Sequence, residues 1–183
     1  MTTYSLPFPL SRPASGGPGP AGFDIGPVAR TAVSIACFTM TFFLLLALAK
    51  GALGLVPNLH HYDKLPVIIH VASVVPAVPL GGYLLLAPKG TKLHKRLGKL
   101  WLVLMLVTAT SAIFIQSSGG FSPIHIFVPI TFHAAWKVVA TARKGDIAGH
   151  KKHLVLTYLT ALMIPGIASF AVPGRLMNVL LLG

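Results

Sequence analysis

Three aspartates and no glutamate are all the acid this 183-residue chain has. Asp24, Asp63 and Asp146 lie far apart in sequence, so catalysis by paired carboxylates has nothing to work with. Cysteine is as scarce. Cys37 stands alone inside an apolar run, which excludes an intrachain disulfide, a cysteine zinc site and an iron–sulfur cluster, and it reads as a small helix-core residue. No glycine-rich loop lies between a strand and a helix, so the phosphate-cradling motifs are missing too. Charge of both signs is thin, at 10% of residues, where soluble domains carry about 25%. Such a chain has lipid as its solvent, and its length allows one compact bundle.

What is present is a regular series of apolar runs, at about 31–49, 66–87, 97–116, 123–142 and 154–172. Each is near the ~20 residues that cross a hydrocarbon core ~30 Å thick. None contains an acid, and the fourth is interrupted by His133 and Lys137. Lone strands would leave backbone groups unpaired in lipid, so runs of this length are helices. The expected fold is an all-α membrane protein with five transmembrane helices, the last four a tandem parallel repeat forming a four-helix bundle. Residues 28–183 make the five-span transmembrane bundle as a whole. Residues 1–27, rich in Pro, Gly and Ser, form a tail without regular elements, ordered only where something holds it. The tail is not a secretory signal, because no short apolar run and cleavage site follow a basic start.

Fifteen Lys plus Arg give a net charge of +12. They form no single patch or stripe of the kind nucleic acid requires. They cluster instead in the short loops: Lys89, Lys92, Lys95 and Arg96 between the second and third runs, and Arg143, Lys144, Lys151 and Lys152 between the fourth and fifth. The opposite side offers only Lys50, Lys64 and Arg175. The positive-inside rule then puts the N-terminus in the cytoplasm and the C-terminus outside.

Spans two-three and four-five read as two copies of one unit, at about 66–116 and 121–172. Pro88-Lys89-Gly90-Thr91 through His94 to Arg96 lies on Arg143-Lys144-Gly145-Asp146 through His150 to Lys152. Upstream, Ile69-His70-Val71 matches Ile124-His125-Ile126, and a weaker match joins 109–114 to 165–170. Copies that enter from the same side are parallel, related by an axis along the membrane normal. That relation brings His70 towards His125 in the outer leaflet and His94 towards His150 in the inner one.

The stretch from Lys89-Gly90 to His94-Lys95-Arg96-Leu97-Gly98, then Gly120 to His125, then Lys144-Gly145-Asp146 to His150, resembles an uncharacterised bacterial family of multi-span membrane proteins, a domain of unknown function, over about residues 66–170. That resemblance implies a multi-pass protein of a bacterial inner (plasma) membrane and no particular activity. The placement of the histidines also resembles, in architecture, the di-haem transmembrane b561 cytochromes, and it implies haem b between paired histidines.

Neutral imidazoles on facing helices are suited to grip a haem. His70, His125, His94 and His150 are therefore the candidate ligands of one or two haem irons. Arg96, Lys99, Lys151 and Lys152 are placed for propionates at the inner pair, and Lys64 and Arg175 at the outer. The expected function is membrane electron transfer, with quinol as a candidate exchange partner. The bland alternative makes His94 and His150 headgroup residues and leaves His70 and His125 hydrogen-bonding across helices. His153 competes with His150, which is preferred because it aligns with His94. His133, near mid-membrane, suits a hydrogen bond to a neighbouring helix better than a quinone or pigment. His60 and His61, with Tyr62 and Asp63, read as a solvated loop before a zinc site. Tyr83, Trp101, Trp136 and Tyr158 read as an interfacial aromatic belt, Gly81-Gly82 as close helix packing, and Pro76, Pro79, Pro129 and Pro165 as kinks in spans two, four and five. The alternative function is a non-catalytic accessory subunit stabilising a larger respiratory or photosynthetic complex, its partners other membrane subunits. A transporter ranks last, because spans without acids make coupled ion transport hard to build.

Overall fold

The computed structural model describes residues 26–56, 59, 63–116, 120 and 122–182. The Pro/Gly/Ser tail, His60, His61 and Tyr62 lie outside the described residues. Among these there are helices and turns and no strands. The five spans are α1 (Pro27–Ala52), α2 (Leu65–Leu86), α3 (Lys92–Ile113), a 3-10 turn Pro123–Ile126 leading into α4 (Phe127–Arg143), and a composite fifth. That fifth span is α5 (Ile147–Leu156), a π-helical segment Thr157–Met163 and α6 (Ile164–Ala171). A short helix, α7 (Leu176–Leu182), comes after it.

The helices outrun their apolar runs, most at the starts of α3 and α5. Hydropathy marks the hydrocarbon core, whereas a helix ends where its backbone donors find other partners. Thr91 accepts the amide hydrogen of His94 at the start of α3, and Asp146 accepts that of Gly149 at the start of α5. Both caps start their helices ahead of the apolar runs, through Lys92, Lys95 and Arg96 in α3 and through Lys151 and Lys152 in α5. The turns before them pivot on Gly90 and Gly145, at φ 81° and 71°, in the left-handed region that a side chain disfavours. The end of the bundle holding these two turns is the basic end, and the opposite one is the far end.

Successive helices α2, α3, α4 and α5 pack on one another, and the π segment returns to touch α2, closing a ring of four. The first helix lies outside this ring, against α2 and α7. The ring closes tightly because α2 presents Gly81 and Gly82: a Cβ on Gly81 would sit 2.6 Å from Trp101 Nε1 and 2.7 Å from Tyr158 Cδ2. Trp101 and Tyr158 are 2% and 0% exposed. Their polar atoms donate to the Ala77 and Val78 carbonyls at 3.0 and 3.1 Å, as buried indoles and phenols must. These two aromatics are therefore the core and not a belt. Tyr83 and Trp136 lie on outward faces, Tyr83 in the last turn of α2 and Trp136 about two turns inside the end of α4.

The prolines are absorbed in different ways. The second helix runs unbroken through Pro76 and Pro79. Pro129 falls in the first turn of α4, where its missing N–H costs no intrahelical bond. Pro165 is the second residue after the π segment. An i→i+5 stretch there is one way for the chain to absorb a donor that proline cannot supply.

Candidate functional site: a histidine cavity at the far end

The aromatic plug fills the ring towards the basic end. Towards the far end the same ring opens into a cavity of about 610 Å3, within the ~300–1,000 Å3 usual for cofactor and ligand sites. Its wall includes both His70 and His125, with Lys64 and Arg175 among the lining residues. The sequence-predicted outer pair thus shares one chamber. His94 and His150 are not part of it.

His70 projects from the second turn of α2 onto α3. Its Nδ1 lies 3.0 Å from the Thr108 carbonyl and 3.2 Å from Ser111 Oγ. A carbonyl only accepts, so Nδ1 carries the proton and Nε2 keeps its lone pair. Ser73 Oγ donates to the His70 carbonyl at 2.9 Å and exchanges a 2.8 Å bond with Thr108 Oγ1, while Ser111 Oγ donates to the Thr108 carbonyl at 3.0 Å. This small polar network fixes the ring in tautomer and orientation. Sequence reasoning missed Ser73 and Thr108. The signal was present: Ser73 is three residues after His70, and Thr108 and Ser111 are three apart in an apolar run, spacings that put small polar groups on one helix face.

His125 is held by its own turn. Ser122 caps the 3-10 segment and His125 reaches back to it in a capping box. The Ser122 N–H donates to His125 Nδ1 at 3.0 Å, and the Ser122 carbonyl and Oγ lie 3.0 and 3.3 Å from the same nitrogen. Two tautomers compete here. When Nδ1 accepts the amide hydrogen, Nε2 carries the ring proton. When Nδ1–H donates to the Ser122 oxygens, Nε2 has the lone pair that a metal requires. Arg175 Nη2 donates to Ser122 Oγ at 3.1 Å, so the cation beside the cavity is also the clamp on this turn. Ser122 was not among the sequence candidates.

At the basic end, His150 Nδ1–H donates to the Val138 carbonyl on α4 at 3.0 Å. His94 lies within electrostatic range of His150 and of Lys89. Its own Nδ1 is buried and makes no hydrogen bond among the described residues. His153 is half-buried one turn on from His150. Among the described residues no group of three or more His, Cys, Asp or Glu gathers that could hold a bare metal ion. Cys37 is half-buried and packs beside Val78, its thiol 4.0 Å from that carbonyl.

His133 departs from its expected place. It lies exposed on the outer side of α4, its ring centroid 5.7 Å from that of Trp136. Lys137 Nζ stands 5.0 Å from the Trp136 ring centre. Among the described residues, no neighbouring helix takes up His133.

Five apolar helices, a mostly apolar chamber that carries two histidines, and a second pair of histidines at the basic end make this a polytopic α-helical membrane protein. Residues 67–173, from α2 to just past α6, match the model of a family described as predicted membrane protein, DUF2306, and the chain belongs to that family. No curated protein matches the chain, and no solved structure does.

Proposed function

We propose that the protein is a membrane electron-transfer protein that binds haem b in the far-end cavity, with His70 and His125 as the axial ligands. The observation that carries this reading is the cavity itself: two histidines from different helices share one chamber of about 610 Å3 with two cations at its wall. The residues fit the group. His70 is already in the tautomer that offers Nε2, and His125 reaches it by moving one proton onto Nδ1, with the Ser122 carbonyl as acceptor. Lys64 and Arg175 suit the propionates. When bound, the haem supplies a one-electron carrier; the protein supplies imidazoles oriented by hydrogen bonds and an apolar wall that excludes water. His94 and His150 are the second candidate pair, with Arg96, Lys99, Lys151 and Lys152 for the carboxylates.

The tandem parallel relation of the two helix pairs belongs to the same reading. Thr91 and Asp146 cap at corresponding positions, and Gly90 and Gly145 share a left-handed conformation. His70 and His125 open on the same chamber. The basic loops face the cytoplasm of a bacterial inner membrane, which puts the cavity in the outer half of the bilayer.

A quinone site is the second reading, favoured by the capped tautomer of His125. A protonated Nε2 donates to a quinone carbonyl, and the His70 Nε2 lone pair accepts from a quinol hydroxyl. A larger assembly, with this chain as an accessory subunit, is supported by the poor cover of its most polar span.

The test is a reduced-minus-oxidised visible spectrum of protein purified in mild detergent, with a pyridine haemochrome assay. Sharp b-type bands whose far-end component is lost in His70→Ala and in His125→Ala are the expected result. A folded protein without such bands, isolated under conditions that retain cofactors, removes the haem reading. Saturable binding of a short-chain quinone to that protein, lost in His70→Ala, establishes the second.

A further inference from the structure

The fourth span has the lowest hydropathy of the five and is also the least buried. This inverts the usual order, because a polar membrane helix belongs inside protein. Its outward face carries Pro129, Ile130, Phe132, His133 and Trp136, all exposed, with half-buried Lys137 beside them. His133 stands ten residues before Arg143 at the basic end of α4, about 15 Å inward at ~1.5 Å per residue. An imidazole at that depth cannot reach a headgroup. Lys137 is six residues inside the same end, with Nζ over the Trp136 ring. The ring face attracts the ammonium but carries no net charge, so no counter-ion faces Lys137 among the described residues. Neither side chain makes an ion pair or hydrogen bond among the described residues.

We propose that this face of α4 docks a membrane-spanning helix of a different protein, one that presents a carboxylate to Lys137 and a hydrogen-bonding group to His133. Charge decides the occupant. All three acids of this chain are outside its spans, in the tail, in the loop before α2, and at Asp146, which caps α5. A second copy in the same orientation would therefore bring no acid to Lys137 at that depth, whichever of its helices it presents. Lipid acyl chains offer neither charge nor hydrogen bond there. Trp136, 60% exposed, adds the large flat surface that anchors helix–helix contacts. The inference does not depend on what fills the cavity, since α4 presents this face away from it.

The test is photo-crosslinking of the full-length chain in its native membrane, with p-benzoylphenylalanine in place of Phe132. A control places the same group at Phe38 on α1, which is 75% exposed. The expected result is an adduct from position 132 to one apolar, membrane-spanning peptide of another protein containing Asp or Glu, and lipid adducts alone from position 38. Lys137→Met then lowers the yield at least about tenfold, Lys137→Arg retains it, and Lys137→Glu combined with Lys in place of the partner's acid restores it. Unchanged thermal unfolding in detergent shows that each variant folds. Adducts only to lipid, only to a second copy, to a segment without an acid, or undiminished by Lys137→Met overturn the proposal, as does the absence of any adduct.

Discussion

At the scale of single residues, two glycines decide how closely the ring closes. On Gly82 a Cβ would fall on the Cys37 thiol, and on Gly81 it would press into Trp101 and Tyr158. Neither aromatic can retreat, since both are buried and tied to α2 carbonyls. Gly81→Ala is expected to cost about 1–3 kcal/mol through overpacking, read as a lower midpoint of thermal unfolding in detergent. Tyr158→Phe keeps the shape and deletes one hydrogen bond. Its expected cost is smaller, about 1 kcal/mol, and a cost as large as that of Gly81→Ala would place the core elsewhere. The glycine pair was legible in the sequence, because adjacent glycines in an apolar run have few other uses. The aromatics were not: a belt and a core both sit near the basic loops, and only the face a side chain takes in three dimensions separates them. His70 and His125 were legible as a pair. The tautomer of each was not, since it depends on Thr108 and Ser122, which no histidine-centred motif names.

At the scale of elements, apolar length made the five spans readable, while their ends and irregularities depend on local hydrogen bonding. The short helix α7 escaped because seven residues after Val172-Pro173-Gly174 cannot span a membrane and carry no periodic signal of their own. It is fixed by tertiary contacts: Lys50 Nζ donates to the Leu181 carbonyl at 2.8 Å and Asn178 Nδ2 to the Phe170 carbonyl at 2.7 Å. The hairpin turns test the backbone argument directly. Gly90→Ala and Gly145→Ala meet open space, so their expected cost, roughly 1–2 kcal/mol each, is conformational alone and additive in the double variant. The π segment carries a sharper expectation. Pro165→Ala returns an N–H and lets the fifth span revert to regular α-helix. Removing one residue of register turns the remainder of the span by about 100°, carrying Gly166, Ser169 and Phe170 away from the cavity wall they now form. Thermal stability should hold or rise, and on the haem reading the haem content should fall. A variant with unchanged content would mean that the π register has no part in shaping the site.

At the scale of the whole molecule, the two ends of the ring are not equivalent, although the histidines recur at both. The far end has an open chamber, a fixed His70 and a capped His125. The basic end has His150 bonded to Val138 and His94 with a buried nitrogen that makes no hydrogen bond among the described residues, beyond a plug of Trp101 and Tyr158. The plug separates the two ends, so a cofactor at one should be indifferent to the loss of the other. On the haem reading, His94→Ala and His150→Ala are therefore expected to leave the far-end spectrum and its midpoint potential in place. His70→Ala and His125→Ala should remove that spectrum and spare any second, basic-end species. If both pairs hold haem, each double variant keeps half the haem per chain, and only the wild-type protein passes electrons across the bilayer to a trapped acceptor in proteoliposomes. Haem content that is abolished in the far-end double variant and untouched in the basic-end one would instead assign a single site. The histidines beside the basic loops would then be hydrogen-bonding residues that hold α3 and α5 against their neighbours. Variants at the two ends that abolish one common spectrum would contradict the separation, because a single haem cannot take ligands from both sides of the aromatic plug.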